Sequence, residues 1–149
     1  MRIISGLFRG KRFLEPKDKN TRPLKDLTKE SIFNIINHSK HIKFNLENSN
    51  ILDLFSGVGS FGIECLSRKV KYVTFVENYN GVLPILKKNL KSLKLINNYQ
   101  IIEQDIYNDN FFSKINEKIN IIFLDPPYKD KNLDDLLIKI ISKKILKNE

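Results

Sequence analysis

The sequence predicts an α/β chain with a doubly wound, mainly parallel sheet, and three observations carry that expectation. From Asn50 onward, short apolar stretches of strand length alternate with longer segments of helical periodicity. A glycine turn, Gly57-Val58-Gly59-Ser60-Phe61-Gly62, closes the first strand and opens a helix. Ile119 to Leu124 is nearly all apolar, as in a strand covered on both faces of a parallel sheet.

The elements follow in order. Arg2-Ile3-Ile4-Ser5 and Lys11-Arg12-Phe13-Leu14 flank Gly6 and Gly10 and read as a hairpin over residues 2–14. Glu15 to Asn20 is polar and loop-like. Pro23 suits the first turn of a helix, where a missing N–H costs nothing. Leu24, Leu27, Ile32, Ile35 and Ile36 continue at helical spacing to about His38. Lys40 to Ser49 reads as a connection. Strands are expected at Ile51 to Phe55, Tyr72 to Val76, Tyr99 to Glu103 and Ile119 to Leu124. Helices are expected at Ser60 to Ser67, Asn80 to Leu95 and Leu133 to Leu146, with a short one at Asn110 to Asn116. Repeated βαβ units of this kind place ligands at the C-terminal ends of the strands.

Of the 149 residues, 41% are hydrophobic and 29% charged, the balance of a globular chain. No apolar run reaches the roughly 20 residues of a membrane span, and the N-terminus lacks the apolar core of a signal peptide. The single Cys65 has no intramolecular disulfide partner, which points to a reducing cytoplasm. The net charge of +9 is concentrated ahead of the sheet. Residues 1–44 carry 11 basic and 4 acidic side chains, the remainder 15 and 13. A polyanion-binding face is therefore expected in the leading segment.

The glycine turn matches the G-x-G-x-x-G pattern of dinucleotide sites, which is weak evidence by itself. Gly57 and Gly59 let the backbone turn tightly, and Gly62 lets the helix pack close to the sheet. Asp53 stands on the strand before the glycines. It would repel a pyrophosphate, but it favours the cationic methionine end of S-adenosylmethionine. Glu77 ends the next strand, where a carboxylate can accept hydroxyl hydrogen bonds from an adenosine ribose. Asp105, past the third strand, can accept a hydrogen bond from the adenine amine, and Ile106 can cover the ring. With the adjoining Phe55 and Asn78, these form the candidate cofactor set. No Gly-Lys-Ser/Thr follows the glycines, which excludes a phosphate-binding loop of that kind.

Asp125-Pro126-Pro127-Tyr128 follows the fourth strand and is the most specific signal in the chain. An exocyclic base amine is a poor nucleophile because its lone pair is delocalised into the ring. Acceptors aimed at its two N–H protons draw that pair out of conjugation. The Asp125 carboxylate supplies one acceptor and the Pro126 carbonyl the other. Neither proline offers an N–H, so the turn presents acceptors and stays rigid. Tyr128 offers a face on which an extruded base can stack. Such chemistry needs positioning, with no metal and no covalent nucleophile. Cys65 falls inside a helix and reads as a core residue. His38 and His41 lack partners at metal-ligand spacing.

These motifs stand in order with Arg2-Ile3-Ile4-Ser5-Gly6, Arg9-Gly10, Thr21-Arg22-Pro23 and Lys29-Glu30-Ser31-Ile32-Phe33-Asn34. Together they resemble the bacterial 16S rRNA guanine-N2 methyltransferases of the small-subunit methyltransferase D family, over nearly the whole chain. The resemblance implies a Rossmann-like class I methyltransferase sheet. It implies S-adenosylmethionine held by Gly57, Gly59, Glu77 and Asp105, and a target base held by Asp125 to Tyr128. It implies methylation of the 2-amino group of one guanine of 16S rRNA, in an assembling 30S subunit, by a monomer. The basic hairpin (Arg2, Arg9, Lys11, Arg12) with Arg22 would grip RNA phosphates. The chain departs from the family pattern at Leu24, where Thr is usual, and at Lys29, where Arg is usual.

The expected division is a basic hairpin and helix over residues 1–44 and a methyltransferase core over 45–149. Only four of the family's seven sheet strands are found, so a truncated core is expected, with Ile119 to Leu124 as an exposed apolar edge. Three other readings stay open. They are an adenine-N6 methyltransferase on DNA or RNA, which DPPY also serves, a nicotinamide-dependent oxidoreductase, and a non-catalytic RNA-binding fragment.

Overall fold

The computed structural model describes residues 1–16, 24–42, 44–94 and 96–147. Thr21, Arg22 and Pro23 therefore lie outside the described residues. The elements are α1 (Asp26–His38), β1 (Asn50–Leu54), α2 (Ser60–Ser67), β2 (Tyr72–Val76), α3 (Leu83–Lys91), β3 (Tyr99–Ile102), β4 (Ile121–Leu124) and α4 (Leu133–Ser142). Short 3-10 helices occupy Leu46–Asn48 and Asp109–Lys114.

The four strands form one sheet in the order β3-β2-β1-β4, every pair parallel. Leu54 stands beside Val76 on one side and Leu124 on the other. The turns that follow β1, β2 and β4 thus leave the sheet along one edge. The strand period of two splits β1 between two cores. Ile51 belongs to a cluster with Phe33, Phe61, Leu66, Phe75 and Leu86. Leu52 and Leu54 belong to a second, with Val76, Ile102, Phe111, Leu136 and Ile140. Phe61 lies between Phe33 and Phe123, with ring centroids at 5.2 and 4.0 Å.

The first 14 residues make a reduced hairpin, with one bridge between Arg2 and Arg12. It is anchored on α2 by Glu64, which is fully buried and accepts the Ile4 and Ser5 N–H groups at 2.8 and 2.9 Å. Arg68 Nε donates to the same carboxylate at 3.0 Å, and Lys29 Nζ lies 3.7 Å from it. Lys29 is itself fully buried and donates to the Arg2 carbonyl at 2.7 Å. Burial lowers its ammonium from the usual value, opposed by Glu64 and Asp26. Gly6 is required at the contact, because a Cβ there would lie 2.0 Å from the Ser67 carbonyl oxygen.

Several expected boundaries shift, among them the start of β4, at Ile121 instead of Ile119. The helix expected from Asn80 starts at Leu83, with Pro84 in its first turn, and ends near Lys91. Lys144, at φ 50°, stops α4 before the expected Leu146. That break turns the chain back onto Ile119, whose N–H donates to the Ile145 carbonyl at 2.9 Å and whose carbonyl accepts the Lys147 N–H at 2.8 Å. The expected apolar edge is therefore covered at Ile119, which is buried, while Ile121 to Leu124 remain a half-buried edge strand. No helix among the described residues is long and apolar enough to cross a membrane.

Candidate active site

The glycine turn is built by backbone geometry. Gly57 and Gly59 hold φ of 55° and 86°, in the left-handed region. A Cβ on Gly59 would also lie 2.6 Å from Leu86 Cδ1. Phe55 adopts φ 58°, unusual for a bulky side chain and a strain of order 1–3 kcal/mol. Ser56 ties the turn to β2, its N–H donating to the Val76 carbonyl at 3.2 Å. Gly62 fits as expected: a Cβ would meet Phe75 Cε1 at 2.3 Å and Asp53 Oδ2 at 2.9 Å.

Asp53 is buried and accepts the Gly62 N–H at 2.9 Å. Burial pushes its carboxyl up to about 8; the Gly62 bond opposes this, and the negative charges of Asp125 and Glu77 add to it. The carboxylates within β1 and just after β2 and β4 thus share one electrostatic field. Glu77 is also buried. Its Oε2 accepts the Gly57 N–H at 2.8 Å, and its Oε1 accepts Asn78 N–H at 2.9 Å and Tyr79 N–H at 2.8 Å. The first bond fastens the glycine turn to the end of β2, and the other two fix the Glu77 carboxylate on its own loop. Oε1 already accepts two bonds, so Oε2 keeps the lone pair best placed for an added hydroxyl.

Asp105 is exposed, with Oδ1 accepting the Tyr107 N–H at 3.0 Å. Ile106 is buried in the second core cluster and presents little surface. Phe55 and the exposed Asn78 complete the set expected from sequence. A polar ligand fits this edge. Of three buried side-chain polar atoms without a partner among the described residues, Ser60 Oγ begins α2 beside Gly59 and Gln104 Oε1 adjoins Asp105.

The DPPY turn leaves β4 next to the glycine turn, because β4 pairs with β1. Asp125 is exposed, and partial desolvation raises its carboxyl above the ordinary value. Tyr128 is fully exposed. The Pro127 carbonyl accepts the Asp130 N–H at 2.8 Å, closing the turn. Asp130 also accepts the Tyr107 hydroxyl, and the Tyr107 ring lies 6.2 Å from that of Phe55. Burial and Asp130 raise the Tyr107 phenol far above its usual value, so it remains a donor. Tyr107 therefore joins the loop after β3 to the turn after β4.

The hairpin cations are less uniform than the sequence suggests. Arg2 Nε lies 3.7 Å from Asp26, and Lys11 Nζ donates to the Ser92 carbonyl. Arg9 and Arg12 are exposed and pair with no carboxylate among the described residues. Lys29, part of the N-terminal signature, is turned into the core. Cys65 is buried in the first cluster, where desolvation raises its thiol. Among the described residues no cluster of three or more His, Cys, Asp or Glu could hold a metal. Sequence reasoning missed Glu64, Asn89 and the Tyr107–Asp130 pair. A charged or amide residue within an otherwise apolar helical row was the available signal for the first two.

A parallel sheet in this order, with glycines after the central strand, an acidic residue ending the next and DPPY after the fourth, defines a class I methyltransferase fold. The family model described as conserved hypothetical protein 95 matches residues 1–149. The chain is 35% identical over 150 residues to the candidate rRNA methyltransferase YlbH of Bacillus subtilis, covering 100% of this chain and 78% of that protein. It is 34% identical over 148 residues to the ribosomal RNA small subunit methyltransferase D of Buchnera aphidicola subsp. Baizongia pistaciae, covering 99% and 71%. The solved structure of Escherichia coli yhhF, a methyltransferase candidate, superposes with a TM-score of 0.78 at 28% identity, covering 100% and 76%. The chain belongs to the ribosomal RNA small subunit methyltransferase D family.

Proposed function

We propose that the chain transfers a methyl group from S-adenosylmethionine to the exocyclic N2 amine of a guanine in 16S rRNA. The observation that carries this reading is the parallel pairing of β1 with β4, which sets the glycine turn and the DPPY turn side by side on one edge. Gly57, Gly59, Glu77, Asn78 and Asp105, with Phe55 and Ile106, hold the nucleoside end of the cofactor, and Asp53 favours its cationic end. When bound, S-adenosylmethionine supplies an electrophilic methyl group.

The remaining work falls to the protein. Tyr128 stacks on the extruded guanine. The Asp125 carboxylate and the Pro126 carbonyl each accept one N–H of the 2-amino group, which frees its lone pair for attack. Rate comes from alignment of the two reactants. Residues 1–44 act as the RNA-gripping extension, with Arg9, Arg12 and Arg22 on phosphates beside Arg2 and Lys11, and residues 45–149 as the methyltransferase core. The chain acts as a monomer in the cytoplasm, on a guanine presented by an assembling 30S subunit.

Radiolabelled cofactor incubated with 30S particles, naked 16S rRNA and duplex DNA tests the assignment. Label is expected at guanine N2 of the rRNA substrates; label in DNA alone rejects it in favour of adenine-N6 chemistry. Asp125→Ala should lower turnover about a hundredfold or more while cofactor affinity stays within a few-fold. Retained turnover would remove Asp125 from the chemistry.

A further inference from the structure

The leading hairpin is not the only acid-poor surface. Residues 78–102 contain four lysines and no carboxylate, and residues 1–14 contain four basic residues and no carboxylate. The fold lays these two stretches together. Asn89 of α3, almost fully buried, accepts the Leu14 N–H at 2.9 Å and donates to the Leu14 carbonyl at 3.1 Å. Its amide also lies 3.0 Å from the Val58 carbonyl of the glycine turn, and Lys11 Nζ reaches the Ser92 carbonyl just past α3. The hairpin's return strand thus runs along α3.

The lysines on that helix differ in their engagement. Lys87 is paired with Glu103 at 2.7 Å. Lys88, Lys91 and Lys94 are exposed, and none pairs with a carboxylate among the described residues. The lysine-rich stretch after α4 has another setting. Lys143 lies over the Phe112 ring at 6.0 Å, the Lys144 carbonyl accepts Lys118 Nζ, and Asp134 and Asp135 stand in the first turn of α4.

We propose that rRNA is held across the seam between the hairpin and α3, with Lys88 and Lys91 binding backbone phosphates alongside Arg9 and Arg12. The RNA interface then extends past residue 44 onto the core. This inference rests on the rRNA reading above. Polyanion affinity gains from every unpaired cation that releases a counterion, and such contacts are sequence-independent. Lysines in a last helical turn also complement the helix dipole, so the test reads salt dependence as well as stability.

The full chain, its Lys88→Gln/Lys91→Gln variant and a Lys143→Gln/Lys144→Gln control are titrated with in vitro transcribed 16S rRNA from about 50 to 300 mM salt. The α3 variant is expected to bind more weakly, with a logarithmic salt slope shallower by roughly 1.5 units, because two phosphate contacts are lost. Its melting temperature and cofactor affinity should match the unaltered chain, and the control should keep the original slope. If the unaltered chain binds and the α3 variant keeps the same slope and affinity, or the control loses as much, this surface is rejected and the rRNA reading stands. If the unaltered chain retains no rRNA, the proposed function falls and this surface falls with it.

Discussion

Asp53 is a carboxyl group kept out of water with one backbone N–H for company, and its titration has two readable consequences. Its folded value of about 8 exceeds the ordinary 3.8, so the folded chain binds more protons than the unfolded chain between those values. Stability therefore falls as pH rises through that window. Asp53→Asn, which keeps an acceptor for Gly62, should flatten the fall in denaturant titrations between about pH 5 and 8. At pH 7 the group is mostly protonated, and an approaching cation favours its ionised form. Binding of S-adenosylmethionine should thus release up to about one proton at pH 7. Calorimetry in buffers of different ionisation enthalpy reads this release, and equal release from Asp53→Asn would show that Asp53 is not its source.

At the scale of elements, the site depends on loops being fastened to one another. Glu77 fastens the glycine turn to β2, and Tyr107 fastens the loop after β3 to the turn after β4. Tyr107→Phe keeps the ring against Phe55 and removes the donor to Asp130. The DPPY turn loses a brace worth about 1.5–3 kcal/mol for a bond to a charged acceptor. Turnover should fall several-fold with little change in cofactor affinity, and Asp130→Asn with Tyr107 intact, which keeps an acceptor for the hydroxyl, should lower it less. Unchanged turnover in Tyr107→Phe would show that the brace is dispensable.

The elements also show what a linear reading can reach. The bounds of α2 and β2 match the sequence expectation residue for residue, because glycines mark the start of α2 and apolar spacing fills both. The helix expected over 80–95 exceeds α3 because apolar periodicity continues past the backbone's own limits, a start at Leu83 with Pro84 in the first turn and a cap at Ser92. The places of DPPY, Asp53 and Glu77 at the sheet edge are legible because they are local to a strand end. Glu64, Asn89 and Asp130 were not, because their partners lie 23 to 75 residues away in the chain.

Across the whole molecule, the leading hairpin, α1 and the sheet share one hydrophobic cluster, and a buried ionic centre joins the hairpin, α1 and α2. Lys29→Met removes the ammonium from that centre and leaves the Arg2 carbonyl and part of Glu64 unanswered. A loss of about 3 kcal/mol in unfolding free energy is expected, read by urea titration; a loss below about 1 kcal/mol would mark the pair as no stronger than a surface contact. The half-exposed β4 edge belongs to the same scale, since the residues around Leu146 cover Ile119, ahead of β4, and leave the strand itself as an edge.

The seating of the hairpin on Glu64 has one more consequence. Dissolved ions weaken attractions they can surround, and they cannot surround a carboxylate that is fully buried under the hairpin backbone. The outward-facing arginines of the same hairpin are fully open to them. Concentrated salt should therefore weaken the proposed RNA contact at these arginines long before it unseats the hairpin that carries them.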